Sequence, residues 1–338
     1  MPAVNTKNTS TQTLFTAGQE GYHSYRIPAL AVTTSSVLAF CEARKFTGRD
    51  HDEIDILLRR STDGGQTWAD RQLVIASGGR TCGNPCPIVD RDTGQIHLLF
   101  SKDNQQIFST RSGDDGLTWA EPTEITEQAK APAWSFVGTG PGHGIQLSSG
   151  RLLAPCWSDE SPGPLTWAPN PNWGKIQSSY ALYSDDHGQS WRYTANITTD
   201  ATDECMAVEL ADGTLYMDMR SRQEKKCRAR SLSQDGGQTW SQAEYDTRLP
   251  EPSCQGSILR ANNTIYLTHP SNPDDRTQLA LYHSQDNCQT FSSPTIFYEG
   301  PAAYSDLTAT DTHLLCFFEA DRSGRLVLEH IDPNHLTP

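Results

Sequence analysis

The sequence predicts an all-β fold, a six-bladed β-propeller with four-stranded antiparallel blades. Three observations predict it. An octet of the form S-x-D-x-G-x-T-W recurs five times, each copy follows a short β-rich run, and no segment longer than about ten residues carries a helical repeat of apolar positions.

The octets stand at 61–68 (STDGGQTW), 112–119 (SGDDGLTW), 184–191 (SDDHGQSW), 233–240 (SQDGGQTW) and 284–291 (SQDNCQTF), with starts 51, 72, 49 and 51 residues apart. In the last copy Cys288 replaces the glycine and Phe291 the tryptophan. Asp and Gly turn the chain tightly, because the carboxylate accepts nearby backbone N–H groups and glycine supplies a positive φ. Thr and the aromatic ring then open the next strand. The runs before the octets are 54–58, 106–110, 179–183, 228–232 and 279–282. Each octet is therefore a hairpin turn within a repeat of about fifty residues, the size of a four-stranded blade.

The other strands are read at 29–40, 95–101, 150–157, 214–219, 263–268 and 312–318, alternating or β-rich runs bounded by Gly, Asp or Asn. Six such runs with five marked turns make six blades, the sixth without an octet. The segment near 13–15 is expected to pair beside the C-terminal strands, because closing the ring removes free sheet edges. Residues 1–12 then form a polar tail and 13–338 a single propeller domain. The Pro- and Trp-rich stretch 158–175 is the longest irregular segment and accounts for the 72-residue gap.

Composition narrows the function. The 338 residues are 36% hydrophobic, enough for a packed core, and carry a net charge of −14. That charge argues against nucleic acid or an anionic membrane as partner, while leaving room for a local basic pocket. No apolar run of about 18 residues marks a transmembrane helix. The start, MPAVNTKNTSTQT, lacks the basic-then-apolar order of a signal peptide, so a cytoplasmic setting is expected. The nine cysteines (41, 82, 86, 156, 205, 227, 254, 288 and 316) are scattered and odd in number, which favours reduced core residues over a disulfide framework. Cys82 and Cys86 have no matching second pair, so no zinc site is expected.

Several residues stand outside the repeat. They are Tyr25-Arg26-Ile-Pro, Cys41-Glu42-Ala-Arg44, Asp50, Asn84-Pro-Cys-Pro, Gly140-Pro-Gly-His143, Asp203-Glu204-Cys, Arg220, Arg276, Ala303-Tyr304-Ser-Asp-Leu and Phe318-Glu319-Ala. With the octets, known as Asp boxes, they make the chain resemble the exo-α-sialidase (neuraminidase) family over residues 25–328, closest to its animal and related bacterial single-domain members. The boxes alone are only moderately specific. The ordered set of arginines, acid and tyrosine is much more so.

The resemblance implies roles that the chemistry can justify. Sialic acid carries a carboxylate on its anomeric carbon, and planar guanidinium groups bind carboxylates through paired, charge-assisted hydrogen bonds. The family pattern puts that triad at Arg26, Arg220 and Arg276. It makes Asp50 the acid that protonates the leaving oxygen, in a loop crowded by Asp52, Glu53 and Asp55, of which Asp52 is the competing choice. It makes Tyr304 the nucleophile, since a neutral phenol is not repelled by the substrate's carboxylate. With an ordinary pKa near 10, that phenol needs a base and nearby positive charge. Glu204 matches the base, with Glu209 the competing choice. Glu319 is expected to orient Arg26, Glu42 and Arg44 to face the C4 hydroxyl, and Asn84 to lie by the N-acyl group. Trp157 and Asp159 stand where the family often has a tyrosine pair near the glycerol chain. His143, His97 and His187 are read as structural.

The expected activity is retaining exo-sialidase hydrolysis of sialylated glycoconjugates without metal or organic cofactor. Two other readings remain at this point. One is transfer to an acceptor sugar, on a platform at Trp157, Trp167 or Trp173, or action on a related nonulosonic acid. The other is a non-catalytic glycan-binding propeller, which would lack a member of the Arg–Asp–Tyr–Glu set.

Overall fold

The structure is a computed structural model that describes residues 10–160, 176–197, 202–222 and 224–336. Among these the architecture is all-β, with twenty-four strands and only a four-residue α-helix (Thr126–Ala129) and one 3-10 turn (Pro333–His335). No helix among the described residues is long and apolar enough to cross a membrane. The stretch expected to form the longest loop falls mostly, with Trp167 and Trp173, outside the described residues.

Five antiparallel sheets follow one another along the chain. The first holds Ser24–Val32, Val37–Arg44, Ile54–Ser61 and Gln72–Ile75. The second holds Cys82–Val89, Ile96–Lys102, Gln106–Ser112 and Thr123–Glu124. In the third, Phe136–Thr139, Leu152–Asp159, Gln177–Ser184 and Arg192–Tyr193 lie in order, and Ile145–Gln146 adds to Leu152–Asp159. The fourth holds Thr202–Glu209, Leu215–Ser221, Cys227–Ser233 and Glu244–Pro250. The last has seven strands, from Ser257–Ala261 to Arg325–Ile331, with the N-terminal Ser10–Thr16 on its far edge. Its fourth strand, Thr295–Ala309, changes partners midway: Thr295 to Pro301 pair with Thr277–Ser284, and Ala302 to Ala309 with Leu314–Ala320.

The strand runs before the octets are all present, extended by one to three residues at their ends. The run read at 29–40 is two strands, because Thr33 and Ser36 close a turn in its middle (Thr33 N–H to Ser36 C=O, 2.9 Å). The N-terminal segment pairs with the C-terminal strand as expected, but the pairing begins at Ser10, within the stretch read as a tail.

Each octet forms the same hydrogen-bonded turn. The Ser61 hydroxyl accepts the Gly65 N–H (2.8 Å), and the Asp63 carboxylate accepts the Thr67 N–H (2.9 Å) and hydroxyl (2.5 Å). The worn copy keeps it: Ser284 accepts from the Cys288 N–H (3.1 Å) and Asp286 from the Thr290 N–H (2.9 Å), with Cys288 at φ 60°. The glycine has a packing reason besides its φ. A Cβ on Gly188 would lie 2.4 Å from His97 Cε1, and one on Gly237 2.5 Å from Leu153 Cδ1, both on the preceding sheet. The turns are where one sheet meets the next.

The core lies between sheets. Six apolar clusters each join two successive groups of strands, and one of them, with Phe15, Tyr25, Leu57, Phe317 and Leu328, joins the last strands to the first sheet. All nine cysteines are free and buried.

The octet carboxylates make a testable contribution to acid stability. Hydrogen bonds from Thr67, Thr118 and Thr290, each with its backbone N–H, hold Asp63, Asp114 and Asp286 down to about 2. Their folded pKa lies below the unfolded value, so the stability they supply is complete above that value and is lost as pH falls toward 2. Thermal melts should be flat from pH 7 to about 5 and fall steeply below about 4. Asp63→Ala should lower Tm by a few degrees at neutral pH and flatten part of that acid slope.

Candidate active site

Four chain segments reach the site through the same local distortion. Strand register slips between Arg26 and Ala29, between Gly83 and Cys86, between Thr202 and Cys205, and between Ala302 and Ser305. Bulges of this kind re-aim a side chain out of the alternating pattern. They carry Arg26, Asn84, Glu204 and Tyr304. At two of them a non-glycine residue has positive φ, Ile27 at 55° and Asn84 at 54°. These strands pack on one another: Ser24–Val32 meets Cys82–Val89 and Thr295–Ala309, and Ser257–Ala261 meets Thr202–Glu209 and Thr295–Ala309. Residues nearly three hundred positions apart thereby become neighbours.

Three arginines surround Tyr304. Arg26 lies with its guanidinium carbon 5.0 Å from the ring centroid and Arg276 with its own at 5.5 Å, while Arg220 Nη1 donates to Tyr304 Oη at 2.9 Å. Two of the three are neutralised by protein carboxylates. Arg26 Nε donates to Glu319 Oε1 (3.0 Å), which also accepts the Ile27 N–H (3.0 Å). Arg220 pairs with Glu204 and lies 3.6 Å from Asp203. Arg276 meets no carboxylate among the described residues; its Nη2 donates to the Ser253 carbonyl (2.8 Å). A half-buried guanidinium without a carboxylate partner can take an anion.

The Tyr304 hydroxyl donates directly to Glu204. Burial, and then the Glu204 charge, push its pKa well above the ordinary phenol value, while the three arginines pull it down. The ring is therefore neutral at physiological pH, with a carboxylate already in position to receive its proton.

Asp50 occupies the exposed side of the site. Its side chain is 66% exposed, and Oδ1 bridges Arg44 Nη1 (2.7 Å) and Arg26 Nη1 (3.2 Å). Burial works to raise its pKa, but the guanidinium charges of Arg44 and Arg26 together outweigh it and hold it below the usual carboxylate value. The competing acid, Asp52, is turned into its own loop, where it accepts from Thr47 Oγ1 (2.7 Å) and the Glu53 N–H (2.8 Å). Glu209, the competing base, bonds the Ser148 N–H (2.7 Å) and hydroxyl (2.7 Å). It lines a separate cavity, away from Tyr304.

Glu42 and Arg44 are committed to the protein more fully than their expected place beside a hydroxyl requires. Glu42 Oε2 accepts from Arg44 Nη2 (2.7 Å) and Oε1 from the Asn84 N–H (2.9 Å), and Arg44 Nη1 also holds the Gly48 carbonyl (2.6 Å). Arg44 thus fixes the loop that carries Asp50. Trp157 is 7% exposed and lies against Phe136, with ring centroids 4.2 Å apart. Asp50, Asn84, Trp157, Glu204, Arg220 and Tyr304 all line one cavity of about 180 Å³. A second, about 820 Å³, begins at Arg26 and Arg276. The larger cavity is not the one that Tyr304 faces.

Two residues here carry no sequence motif. Gln177 is buried in the wall of the smaller cavity with neither amide atom bonded, and Trp157 Nε1 is likewise unpaired. Buried polar atoms without partners are rare and costly, so a polar ligand has a place here. Ser253, at φ 54°, lies within reach of two arginines at once: its hydroxyl accepts from Arg220 Nε (3.4 Å) and its carbonyl from Arg276. Buried Glu251 holds its loop by accepting the Cys254 N–H (2.6 Å). Among the described residues, the group with metal-ligand proximity is Asp90, Asp92 and His187. It lies elsewhere, and Gln146 Nε2 donates to both carboxylates (2.9 and 3.0 Å), so the chain's own amide fills it. His143 bonds buried Asp306 (2.9 Å) and His187 bonds Asp90 (2.8 Å), in keeping with structural roles.

Comparison with known proteins shows the family to which the chain belongs. The profile of the BNR repeat-like domain family matches residues 36–316. A sialidase of Micromonospora viridifaciens is 30% identical over 337 residues, covering 88% of this chain and 50% of that protein. Sialidase-3 of Mus musculus is 29% identical over 396 residues, covering 95% and 92%. Among solved structures, Hadza microbial sialidase Hz136 superposes with a TM-score of 0.86 at 26% identity, over 97% of this chain and 69% of its own. Trypanosoma rangeli sialidase does so at 0.77 and 19%, a likeness of fold. The chain thus spans about half of one curated relative and nearly all of another.

Ser253→Ala tests the link between the arginines. It keeps the carbonyl that Arg276 uses and removes the hydroxyl from Arg220. Calorimetric titration with a carboxylate ligand should show affinity lower by about three- to tenfold, the worth of one ordinary hydrogen bond, with little change in Tm.

Proposed function

The chain belongs to the BNR repeat-like domain family, and from that premise we propose that it is a retaining exo-α-sialidase acting through a tyrosine-linked intermediate on a six-bladed propeller. One observation carries the reading: three arginines from different parts of the chain converge on Tyr304, whose hydroxyl donates to Glu204. The curated relatives named sialidase support it independently. The propeller is supported by the six inter-sheet cores and by the long strand that divides the seven-stranded sheet into two four-stranded halves.

In this reading the sialic acid carboxylate takes the site left open at Arg276 and shares Arg26 and Arg220. Its arrival changes Asp50. In the ligand-free protein Asp50 leans on Arg26 and Arg44 and is held ionised. A substrate carboxylate on Arg26 offsets that charge, so the Asp50 pKa rises toward the range in which it donates a proton. Asp50 then protonates the leaving oxygen as its bond to the anomeric carbon breaks. Tyr304 Oη forms the new bond and passes its proton to Glu204. In the second step Asp50 takes a proton from water, whose oxygen bonds the anomeric carbon. The tyrosine leaves and recovers its proton from Glu204. Two displacements retain the configuration. The neutral phenol matters because a carboxylate nucleophile would approach the substrate's own carboxylate.

Asn84, Trp157 and Gln177 serve the substituents of the sugar ring, with the unpaired amide of Gln177 available to hydroxyls. Of the three platforms expected for transfer to an acceptor sugar, Trp157 lies against Phe136, while Trp167 and Trp173 fall outside the described residues.

Two substitutions test the assignment with a fluorogenic sialoside. Tyr304→Phe should lower kcat by about a thousandfold or more while a dehydrated sialic acid analogue still binds within a few-fold. Turnover near the wild-type rate would remove Tyr304 as nucleophile. Arg276→Ala should raise KM by about ten- to a hundredfold, with a smaller loss in kcat. An unchanged KM would take Arg276 out of the carboxylate site.

A further inference from the structure

The larger cavity extends well beyond the arginines that the proposed chemistry uses. Arg26 and Arg276 line it, as does Gly48, two residues before Asp50. The smaller cavity, at about 180 Å³, has room for little more than one sugar ring. The rest of a glycoside must continue past Asp50, and a groove of about 820 Å³ opens there.

Besides Arg276, a second cation in that groove makes no ion pair. Arg322 lines it, its side chain is exposed, and it makes no ion pair among the described residues. It stands on the turn between Leu314–Ala320 and Arg325–Ile331, where Asp321, Arg322 and Ser323 all have positive φ (56°, 57° and 65°). Three successive non-glycine residues in that region cost free energy and persist only where the surroundings hold them. Here they do. The Asp321 N–H reaches the Pro301 carbonyl (2.8 Å), Tyr298 Oη donates to Asp321 Oδ1 (2.6 Å), and the Ala17 N–H reaches the Gly324 carbonyl (2.9 Å). Ser323 Oγ donates to Glu319 Oε2 (3.3 Å), the carboxylate that also orients Arg26. The turn is therefore tied directly to the arginine site.

The charges in the groove then decide what it suits. Glu319 is spent on Arg26 and the Ile27 N–H. Arg276 is taken by the substrate carboxylate. Asp275 gives its Oδ1 to the Arg276 N–H (2.9 Å) and keeps one oxygen free for a hydroxyl donor. Arg322 remains as a solvent-exposed cation with no ion pair among the described residues.

We propose that this groove is a subsite for an acidic sugar next to the scissile bond, with Arg322 binding its carboxylate or sulfate and Asp275 a hydroxyl. The proposal rests on the sialidase reading and adds a substrate class to it: sialosides whose penultimate residue is itself anionic. The carboxylate of a second, α2-8-linked sialic acid and a sulfate ester on galactose share the required chemistry.

The test compares four substrates: α2-8-linked disialyl-lactose, a sulfated α2-3 sialyllactose, plain α2-3 sialyllactose and methylumbelliferyl sialoside. Arg322→Ala should lower kcat/KM on one or both anionic substrates by about fivefold, the scale of an exposed ion pair, and by less than about twofold on the other two. Arg322→Lys should restore most of the loss. In about 0.5 M salt the wild-type advantage on the anionic substrates should shrink. A loss confined to the disialyl substrate identifies the carboxylate as the group bound, and one confined to the sulfated substrate the sulfate. Equal effects of Arg322→Ala on neutral and anionic substrates, or no effect, would overturn the subsite. Failure to cleave any of the four would instead overturn the sialidase reading itself.

Discussion

A guanidinium taken out of water must meet negative charge, and that constraint runs through the whole site. Arg44 answers to Glu42, Arg220 to Glu204 and Asp203, and Arg26 to Glu319. Removing one partner of such a buried pair costs about 3–5 kcal/mol, because the other charge is left stranded. Arg276 breaks the pattern, since it has only the Ser253 carbonyl. This unmatched charge stands beside Tyr304.

The scaffold exists to hold those charges in register. A hydrogen-bonded octet closes a hairpin in each of five repeats, and its glycine lets one sheet approach the next to within contact distance. Where a cysteine replaces that glycine, the turn survives because the Ser and Asp contacts persist. The octets supply rigidity, and the candidate site residues Arg26, Asn84, Glu204 and Tyr304 lie at strand bulges, where they leave the alternating pattern together. Separating the two functions lets side chains at the site be strained or unpaired without loosening the ring of sheets.

Within the site, charge also couples the parts. Asp50 shares Arg26 with the position where a substrate carboxylate would bind. Glu319 holds both Arg26 and, through Ser323, the turn that presents Arg322. Ser253 lies between Arg220 and Arg276. These links run through single carboxylates or hydroxyls, so each is open to one substitution.

Much of this was legible in the sequence. The octets and the runs before them marked hairpins, because Ser, Asp and Gly at fixed spacing make a turn by local bonding alone. The arginines, Asp50, Glu204 and Tyr304 were marked by motif context. The single run read at 29–40 hid a turn, since Thr and Ser lack the strong signal of Gly or Pro. Gln177, Ser253 and Arg322 were invisible: an amide without partners, a residue beside two arginines and an unpaired cation on a held turn are facts about neighbours. Local hydrogen bonding and residue chemistry determined, from the sequence alone, which turns form and which groups are candidates for the site. Which of those groups meet, and which charge goes unpaired, was decided only by tertiary structure, because electrostatic and packing energies depend on distance in space and not along the chain.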